Sequence, residues 1–431
     1  MINLYKNIKN DTKLIYLYFF LVILLFIAGY LLNEDSSGGG KVDFVHEYKS
    51  FLEFKKGIFQ ALTSLSYESS RTPLFLILNS FNFFAEDENS FRLTNFLFNF
   101  LIFFGFIFCL KSQNKFDHNS ILIISCILLL SPYFRTSSYW AHQENLPFLF
   151  YFASLFLLYK WINNFENYFY LKVSLIAFIS CLSFYSDQKF IFLSLSIFLI
   201  LVIKFYFNKL RILNLFLIFF FTSIPAFYLF YIWGGIVPKE SQFRIGFYKE
   251  NISASLSIIC FYFFPLFLVS LKSFSLKNYF KNFKKKELIL FILIFLINLI
   301  TLPSFDSPWG QGVIYKIIYI LNIKLQFNLY ILLLIYFSFI QIFVFKIYLI
   351  LKNNIVNFLP IIILVFISSM VERTYNEYFD PLIFILIFTF FSYREDFKIN
   401  NKLVVLSYSL FYFSFLVFAN LYYKYFNLNA L

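Results

Sequence analysis

The sequence predicts an all-α protein, a polytopic bundle of membrane-spanning helices. Of its 431 residues, 60% are hydrophobic and 14% are charged, whereas soluble proteins average roughly 45–50% and about 25%. Apolar runs of about 20 residues, the length that crosses a bilayer as a helix, recur from end to end. The segments between these runs are too short to bury a hydrophobic core of their own. We therefore expect residues 1–431 to form a single integral membrane domain.

The apolar runs place about thirteen candidate spans. The first run follows a lysine-bearing N-terminus, but no small-residue cleavage site follows it, so we interpret it as an uncleaved span rather than a signal peptide. The segment from Pro73 to Phe84 is too short to cross and predicts a re-entrant or interfacial helix. The candidate spans cover residues 14–32, 91–110, 120–133, 145–161, 171–186, 190–207, 212–233, 253–271, 288–303, 327–345, 355–371, 381–393 and 403–421.

Basic residues orient these spans. Lys6, Lys9 and Lys13 predict a cytoplasmic start, and counting spans from there puts a lysine or arginine in every cytoplasmic loop. We therefore assign the net charge of +13 to the positive-inside rule and to attraction by anionic membrane lipids, and we predict no nucleic-acid partner. The expected location is the inner or plasma membrane if the source is bacterial, with the endoplasmic reticulum as the eukaryotic alternative.

The extracytoplasmic loops have a different character, because they collect acidic residues together with His, Trp and Gly. One explanation is that acids gather there because bases are held inside, but this does not account for the clustered His, Trp and Gly. The pattern therefore predicts one active surface on the extracytoplasmic face. These loops cover residues 33–90, 133–144, 186–189, 234–251, 304–324 and 372–380.

The first of these loops, residues 33–90, is the longest polar segment of the chain. Three glycines precede Asp43, His46 and Glu47, whose i, i+3, i+4 spacing puts them on one face if the segment is helical. Asp43 is the candidate catalytic base, which would take a proton from an acceptor hydroxyl. His46 and Glu47 are candidate substrate-binding residues. An acidic helix solvated at the membrane surface is an equally open alternative.

A second polar segment, residues 131–152, pairs aromatic rings with hydrogen-bonding groups. A sugar offers CH faces that stack on rings and hydroxyls that bind polar groups, so this pattern predicts a sugar pocket, with an interfacial aromatic belt as the alternative. Asp187, in a short turn between two spans, is a further candidate, unless that turn is simply a polar hairpin. The candidates in residues 131–152 are Arg135, Tyr139, Trp140, His142 and Glu144.

Several cations lie on the extracytoplasmic side, against the positive-inside trend. Lys239 and Arg244 follow a predicted span and are candidates to bind the phosphate of a lipid-linked donor. Arg373, with Tyr378 nearby, stands where a late span meets the outside and could stabilise a departing phosphate. An interfacial ion pair between Arg373 and a neighbouring glutamate is the alternative.

Known nucleotide, hydrolase and metal motifs are absent from the sequence, among them the Walker loop, the dinucleotide fingerprint, HExxH, GxSxG and CxxC. A sugar nucleotide or ATP is therefore not expected as donor. The four cysteines lie in apolar runs without metal-ligand spacing, so neither a disulfide framework nor a metal site is predicted. No cofactor is predicted, and the sequence leaves a metal requirement open.

The order of these motifs resembles that of the polytopic GT-C glycosyltransferases that use polyprenyl-phosphate sugars. An acidic motif in the first outside loop is matched by Asp43 with His46, a Pro-containing segment by Arg71-Thr72-Pro73, and an Arg–Asn pair by Arg92 and Asn95. Within that superfamily the chain is most similar to the dolichyl-phosphate-glucose alpha-1,2-glucosyltransferases. Further matches are Gly234-Gly235-Ile236-Val237 and the stretch from Glu372-Arg373 to Pro381, and departures are Val42-Asp43 and Asp187-Gln188.

The resemblance implies transfer of a hexose from a polyprenyl-phosphate donor to a lipid-linked or surface glycan acceptor, by inverting single displacement. It implies that Asp43 is the base and that Arg244 and Arg373, with Lys239, bind the phosphate. A glycan polymerase or ligase is one alternative, although its large loop would come late in the chain. A transporter or lipid flippase is another, although it would carry ionisable residues within spans and an internal repeat.

Overall fold

The computed structural model describes residues 12–63, 72–238, 242, 244–270, 285–305, 310–351, 358–392 and 402–425. Within these ranges the regular structure is helical, apart from one isolated antiparallel bridge between Ile245 and Val371. The all-α prediction is therefore confirmed for the described part of the chain. Its contacts divide it into two compact units, one formed by residues up to 242 together with 412–425, the other by residues 244–411.

The first unit begins with an apolar helix and a helical polar segment, and further apolar helices follow. Its helices are α1 (Thr12–Leu31), α2 (Gly40–Lys56), α3 (Ile58–Thr63), α4 (Leu74–Ser80), α5 (Glu88–Ser112), α6 (His118–Leu130), α7 (Pro132–Tyr139), α8 (Leu146–Trp161), α9 (Phe169–Ser186), α10 (Ile191–Lys204), α11 (Lys209–Thr222) and α12 (Ile224–Trp233). Two 3₁₀ turns, Gln143–Asn145 and Gln188–Phe190, precede α8 and α10.

The second unit comprises α13 (Glu250–Ser270), α14 (Lys285–Ile300), α15 (Gly312–Ile323), α16 (Leu329–Leu351), α17 (Leu359–Ser369) and α18 (Leu382–Leu386), with a 3₁₀ turn at Asn376–Tyr378 and a π turn at Ile387–Phe391. The last helix, α19 (Lys402–Tyr425), contributes residues to both units. A buried cluster that includes Phe305, Tyr315 and Tyr336 packs α15 against α16, and the Phe305 and Tyr315 rings stack 4.5 Å apart.

Seven helical segments in the described residues are long and apolar enough to cross a bilayer. They are Thr12–Leu31, Glu88–Ser112, Phe169–Ser186, Lys209–Trp233, Glu250–Val269, Leu329–Leu351 and Lys402–Tyr425. These segments indicate a multi-pass membrane protein. The count of about thirteen spans is not confirmed, because several predicted runs form shorter helices. The 16 residues of α8, for example, rise only about 24 Å.

One further candidate span is bent, because α6 and α7 meet at 63°. Ser131 separates them, and its hydroxyl accepts a hydrogen bond from the Phe134 backbone N–H at 3.1 Å, as an N-cap does. Pro132 at the first helical position has no N–H to bond back into α6, so the chain starts a new helix here. The bend leads into the polar segment of residues 135–145 that the sequence singled out.

Candidate functional site

The first polar loop is folded onto α7 rather than extended from the first unit. Gly40, the first residue of α2, packs so tightly that an added Cβ would lie 2.4 Å from Thr136 Cγ2 and 2.7 Å from Trp140 Cδ1. The Ser36 hydroxyl donates to the Pro132 carbonyl at 2.8 Å, and the Ser37 N–H donates to the Thr136 hydroxyl at 3.0 Å. The start of α2 is therefore fixed against α7.

Asp35 holds the glycine turn that precedes α2. One of its carboxylate oxygens accepts hydrogen bonds from the backbone N–H groups of Gly38 at 2.9 Å and Gly40 at 3.2 Å, and the other accepts one from Lys41 at 3.4 Å. Gly38 has φ +79°, a conformation that side-chain-bearing residues rarely adopt. A negative charge beside a helix N-terminus is also favourable, so Asp35 fixes both the turn and the position of α2.

The segment with the acidic motif is helical, because Asp43, His46 and Glu47 all lie in α2. Asp43 and His46 are exposed, whereas Glu47 faces the interior. Among the described residues no hydrogen bond or ion pair engages the Asp43 carboxylate, and a Cβ built on Gly39 would lie 3.7 Å from Asp43 Oδ2. Asp43 therefore presents an available carboxylate one turn from the point where α2 contacts α7.

Arg135 and Tyr139 lie inside the first unit. The Arg135 guanidinium is fully buried and forms a bidentate ion pair with Glu34, at 2.8 and 2.5 Å, and it also donates to the carbonyls of Leu25 and Leu129. The Tyr139 hydroxyl donates to the Phe26 carbonyl at 2.7 Å. The polar atoms of both side chains are thus used by protein partners.

Trp140 joins the first loop to α5. Its indole N–H donates to the Glu34 carbonyl at 3.0 Å, and the Arg92 guanidinium carbon lies 4.0 Å from the centre of its ring. Arg92 also donates to the Tyr139 carbonyl at 2.9 Å and to the Asn33 side chain at 2.8 Å. Arg92 therefore links α5 to the start of the first loop and to the end of α7.

Four ionisable side chains from two loops form one buried cluster in the first unit, which we call the charged cluster: His142, Glu144, Asp187 and Lys189. The Lys189 ammonium lies 3.3 Å from Asp187 and 3.6 Å from Glu144, and His142 Nδ1 lies 3.8 Å from Glu144. With His142 neutral, two carboxylates face one ammonium, so the cluster carries one net negative charge.

The Pro-containing segment of the first loop reaches the same region. The Thr72 N–H donates to the Gln188 side chain at 2.8 Å, and the Thr72 hydroxyl donates to the Phe184 carbonyl at 2.7 Å. The first unit therefore brings together three separate polar segments that the sequence singled out, around residues 40–47, 72–73 and 142–144, with the turn at 187–189. Arg71 lies outside the described residues.

In the second unit, Arg244 and Arg373 come from two segments that pair with each other. The Glu372 N–H donates to the Arg244 carbonyl at 2.9 Å, next to the bridge between Ile245 and Val371. Both arginines are exposed. Arg244 and Arg373, two of the cations predicted to bind phosphate, therefore lie in backbone segments that are hydrogen-bonded to each other. Lys239 lies outside the described residues.

Tyr378 lies beside Tyr375, with the two rings edge to face at 5.8 Å. Burial raises the pKa of Tyr375, and the nearby Arg373 guanidinium opposes that shift. Arg373 therefore has aromatic as well as polar neighbours, an environment in which planar guanidinium groups commonly bind anions.

The sequence reasoning missed Glu34, Asp35 and Lys189, which make some of the most important contacts of the first unit. Glu34 and Asp35 directly follow the first apolar run, and a buried arginine such as Arg135 demands a carboxylate partner. That requirement was the available signal. Lys189 was visible in its turn, but nothing local showed that it would meet Glu144 from a distant loop.

Within the described residues, no group of three or more His, Cys, Asp or Glu side chains is placed to hold a metal ion. The charged cluster contains an ammonium between its carboxylates, which is the arrangement of an ion-pair network rather than of a cation site. Comparisons of the chain with models of protein families, with characterised proteins and with solved structures found no match.

Proposed function

We propose that the chain is an integral membrane glycosyltransferase. It moves a hexose from a polyprenyl-phosphate-linked donor to a lipid-linked or surface glycan acceptor on the extracytoplasmic face. The observation that carries the proposal is the seating of α2 on α7, which holds the available Asp43 carboxylate one helical turn from Gly40, the residue that His142 of the charged cluster contacts.

Asp43 suits the role of base for two reasons. A general base needs an accessible carboxylate, and that of Asp43 is exposed and unengaged among the described residues. It must also be held in a defined position, which the contacts of Asp35 and Gly40 provide. Asp35 itself is a weaker candidate because its oxygens are occupied by backbone N–H groups.

The sugar-binding role is assigned to the charged cluster and its neighbours. His142, Glu144 and Asp187 gather in one place the donor and acceptor types that bind sugar hydroxyls. Arg135 and Tyr139 support this region structurally, because their polar atoms already bond to Glu34 and to the Phe26 carbonyl. His46 and Glu47 extend the same helix beyond Asp43.

The phosphate-binding role is assigned to Arg244 and Arg373 in the second unit. Guanidinium groups form strong, directional hydrogen bonds with phosphate and stabilise negative charge as it develops on a leaving group. Exposure of both arginines leaves them accessible to a lipid-borne phosphate. Lys239 and Tyr378 complete the assigned set.

The proposed reaction is a single displacement. The acceptor hydroxyl gives its proton to the Asp43 carboxylate as its oxygen bonds to the anomeric carbon of the donor hexose. The bond between that carbon and the phosphate oxygen breaks, its electron pair leaves with the polyprenyl phosphate, and the anomeric configuration inverts. No cofactor is required for this balance.

The decisive experiment is Asp43→Asn in membranes supplied with radiolabelled polyprenyl-phosphate glucose or mannose. Transfer of label to a glycan or lipid acceptor should fall by about 10²–10⁴-fold, the usual contribution of a general base. Glu53→Gln is the matched control, because Glu53 lies on the same helix in an exposed ion pair with Lys56. Equal transfer by wild type and Asp43→Asn would remove Asp43 from the mechanism.

A further inference from the structure

A tight turn in the second unit, and the segment packed against it, each carry an amide side chain whose oxygen is buried without a hydrogen-bond partner among the described residues. The turn consists of Gly310, Gln311 and Gly312 at the start of α15, and all three residues have positive φ, of +75°, +57° and +90°. The Gln311 N–H donates to the Thr374 carbonyl at 2.5 Å, so the turn is bonded to the segment that follows Arg373. A glutamine in the left-handed backbone conformation costs free energy, and such strained residues cluster at functional sites.

The two glycines allow the turn to approach that segment closely. A Cβ on Gly310 would lie 3.1 Å from the Thr374 carbonyl oxygen and 3.5 Å from Arg373 Cβ. A Cβ on Gly312 would lie 3.4 Å from Asn376 Oδ1. Arg373 and Asn376 therefore flank the same three-residue turn.

Two side-chain oxygens at and beside this turn accept no hydrogen bond from the described residues. Asn376 is 4% exposed, and its Oδ1 has no hydrogen-bond partner among the described residues. Oε1 of Gln311 is likewise buried and unpaired within the same part of the chain. Buried amide oxygens are normally satisfied, so two unsatisfied oxygens, one on the turn and one beside it, call for donors from outside the protein.

We propose that Gln311, Asn376 and Arg373 form a binding site for a phosphorylated sugar. The two amide oxygens accept hydrogen bonds from sugar hydroxyls, which are good donors, and the Arg373 guanidinium binds the phosphate. The Tyr375 ring, which reaches within 3.8 Å of a Cβ built on Gly310, offers a face against which the sugar can stack. The choice of ligand rests on the proposed function, but the site is stated as a binding site and does not depend on Asp43.

The test measures binding by the full-length chain in lipid nanodiscs. The probes are citronellyl phosphate and citronellyl-phosphate glucose, which differ only in the sugar. Wild type should bind the glucosylated probe at least tenfold more tightly than the bare phosphate, because only that probe satisfies the two amide oxygens. Equal binding of the two probes would overturn the proposal and indicate that water alone fills the site.

Substitutions of the three proposed ligand-binding residues separate the sugar-binding role from the phosphate-binding role. Asn376→Leu and Gln311→Leu, each near its native volume but without an acceptor, should lose the preference for the glucosylated probe and keep binding of the bare phosphate. Arg373→Gln should weaken both probes. Asn322→Leu, on the same helix α15 and bonded only to the Phe327 carbonyl, is the control. A preference retained in both leucine variants contradicts the proposal, and using two variants covers the case in which one fails to fold.

The outcome is distinguishable from that of the proposed function. Asp43→Asn should bind both probes as wild type does while its sugar transfer falls by about 10²–10⁴-fold. If transfer survives in Asp43→Asn but the glucose preference still depends on Asn376 and Gln311, the catalytic assignment fails and the binding site stands. If transfer depends on Asp43 but the wild type shows no glucose preference, the site fails and the catalytic assignment stands.

Discussion

His142 Nε2 lies 3.0 Å from the carbonyl oxygen of Gly40, the first residue of α2. The ring nitrogen must be the donor, because a carbonyl oxygen only accepts. The same imidazole directs Nδ1 toward Glu144, 3.8 Å away. One side chain therefore connects the helix that carries Asp43 to the charged cluster, and its loss should loosen α2 where the proposed chemistry takes place.

We predict that His142→Phe, which keeps a ring but removes the donor, increases amide hydrogen exchange at the start of α2. A hydrogen bond of this kind contributes about 0.5–1.5 kcal/mol, so exchange should rise by roughly 2–12-fold. Mass spectrometry of peptides from residues 40–56 measures the change. His118→Phe is the control, since His118 bonds the exposed Tyr16 at 3.0 Å and lies on another helix. Unchanged exchange in His142→Phe would show that α2 is held by its other contacts alone.

A second prediction concerns the ion pair between Glu34 and Arg135. Glu34→Ala leaves a fully buried guanidinium without its carboxylate, which should cost about 3–5 kcal/mol of unfolding free energy. Glu53→Ala, which breaks the exposed pair with Lys56, should cost less than about 1 kcal/mol. Thermal unfolding of the detergent-solubilised protein compares the two.

The double variant Glu34→Leu with Arg135→Met provides an internal check. Removing both charges leaves no buried ion unpaired, so much of the stability lost in Glu34→Ala should return. If Glu34→Ala and Glu53→Ala have equal melting temperatures, water must already reach Arg135, and the pair is not the buried contact described above.

The helical content could be predicted because it depends on local sequence: composition and run length indicate membrane helices. The i, i+3, i+4 spacing of Asp43, His46 and Glu47 was compatible with a helix but did not by itself predict α2. The number of spans could not be obtained in this way. The run at residues 120–133 ends early because Ser131 and Pro132 start a new helix, and α10 ends at Lys204 after 14 residues. Apolar composition does not reveal such breaks.

The partners of polar residues were the least predictable feature, because they depend on tertiary contacts. Arg135 was predicted in a sugar pocket, and the carboxylate that it binds lies 101 residues away in the chain. Lys189 and Glu144 likewise meet from separate loops. The sequence located the polar segments, but which of their side chains are buried and which are exposed depends on tertiary contacts.

Asp87 should make stability depend on acid pH. Hydrogen bonds from Ser90, which completes a capping box at the start of α5, lower the pKa of Asp87. A carboxyl whose folded pKa lies below the unfolded value of about 3.9 stabilises the fold above that pH, and this contribution is lost as the pH falls through the folded pKa.

We therefore expect Asp87→Asn to melt below the wild type at neutral pH, with the difference shrinking below about pH 4. Melting temperatures from pH 3 to pH 7 test this, with Glu86→Gln, the exposed neighbouring carboxylate, as the control. Equal melting temperatures of the two proteins at every pH would mean that Asp87 acts only as a hydrogen-bond acceptor, since asparagine caps helices well.

The last prediction concerns Gly312, on which the close approach of the turn at residues 310–312 depends. An added Cβ would lie 2.3 Å from Ile258 Cγ1 of α13, and φ is +90°. Gly312→Ala should therefore combine backbone strain with overpacking and lower stability by more than about 2 kcal/mol. Gly234→Ala is the matched control, because its φ is +66° but no atom lies within 4 Å of the new Cβ, so only the strain of about 1–2 kcal/mol applies.

The double variant Gly312→Ala with Ile258→Ala separates the two effects. Ile258→Ala alone should destabilise by about 2–5 kcal/mol because it opens a cavity. It also makes room for the new Cβ, so the double variant should be more stable than the sum of the single changes predicts. Strict additivity in thermal unfolding would mean that Ile258 does not restrict Gly312, and the close approach that places Asn376 Oδ1 beside the turn would lose its support.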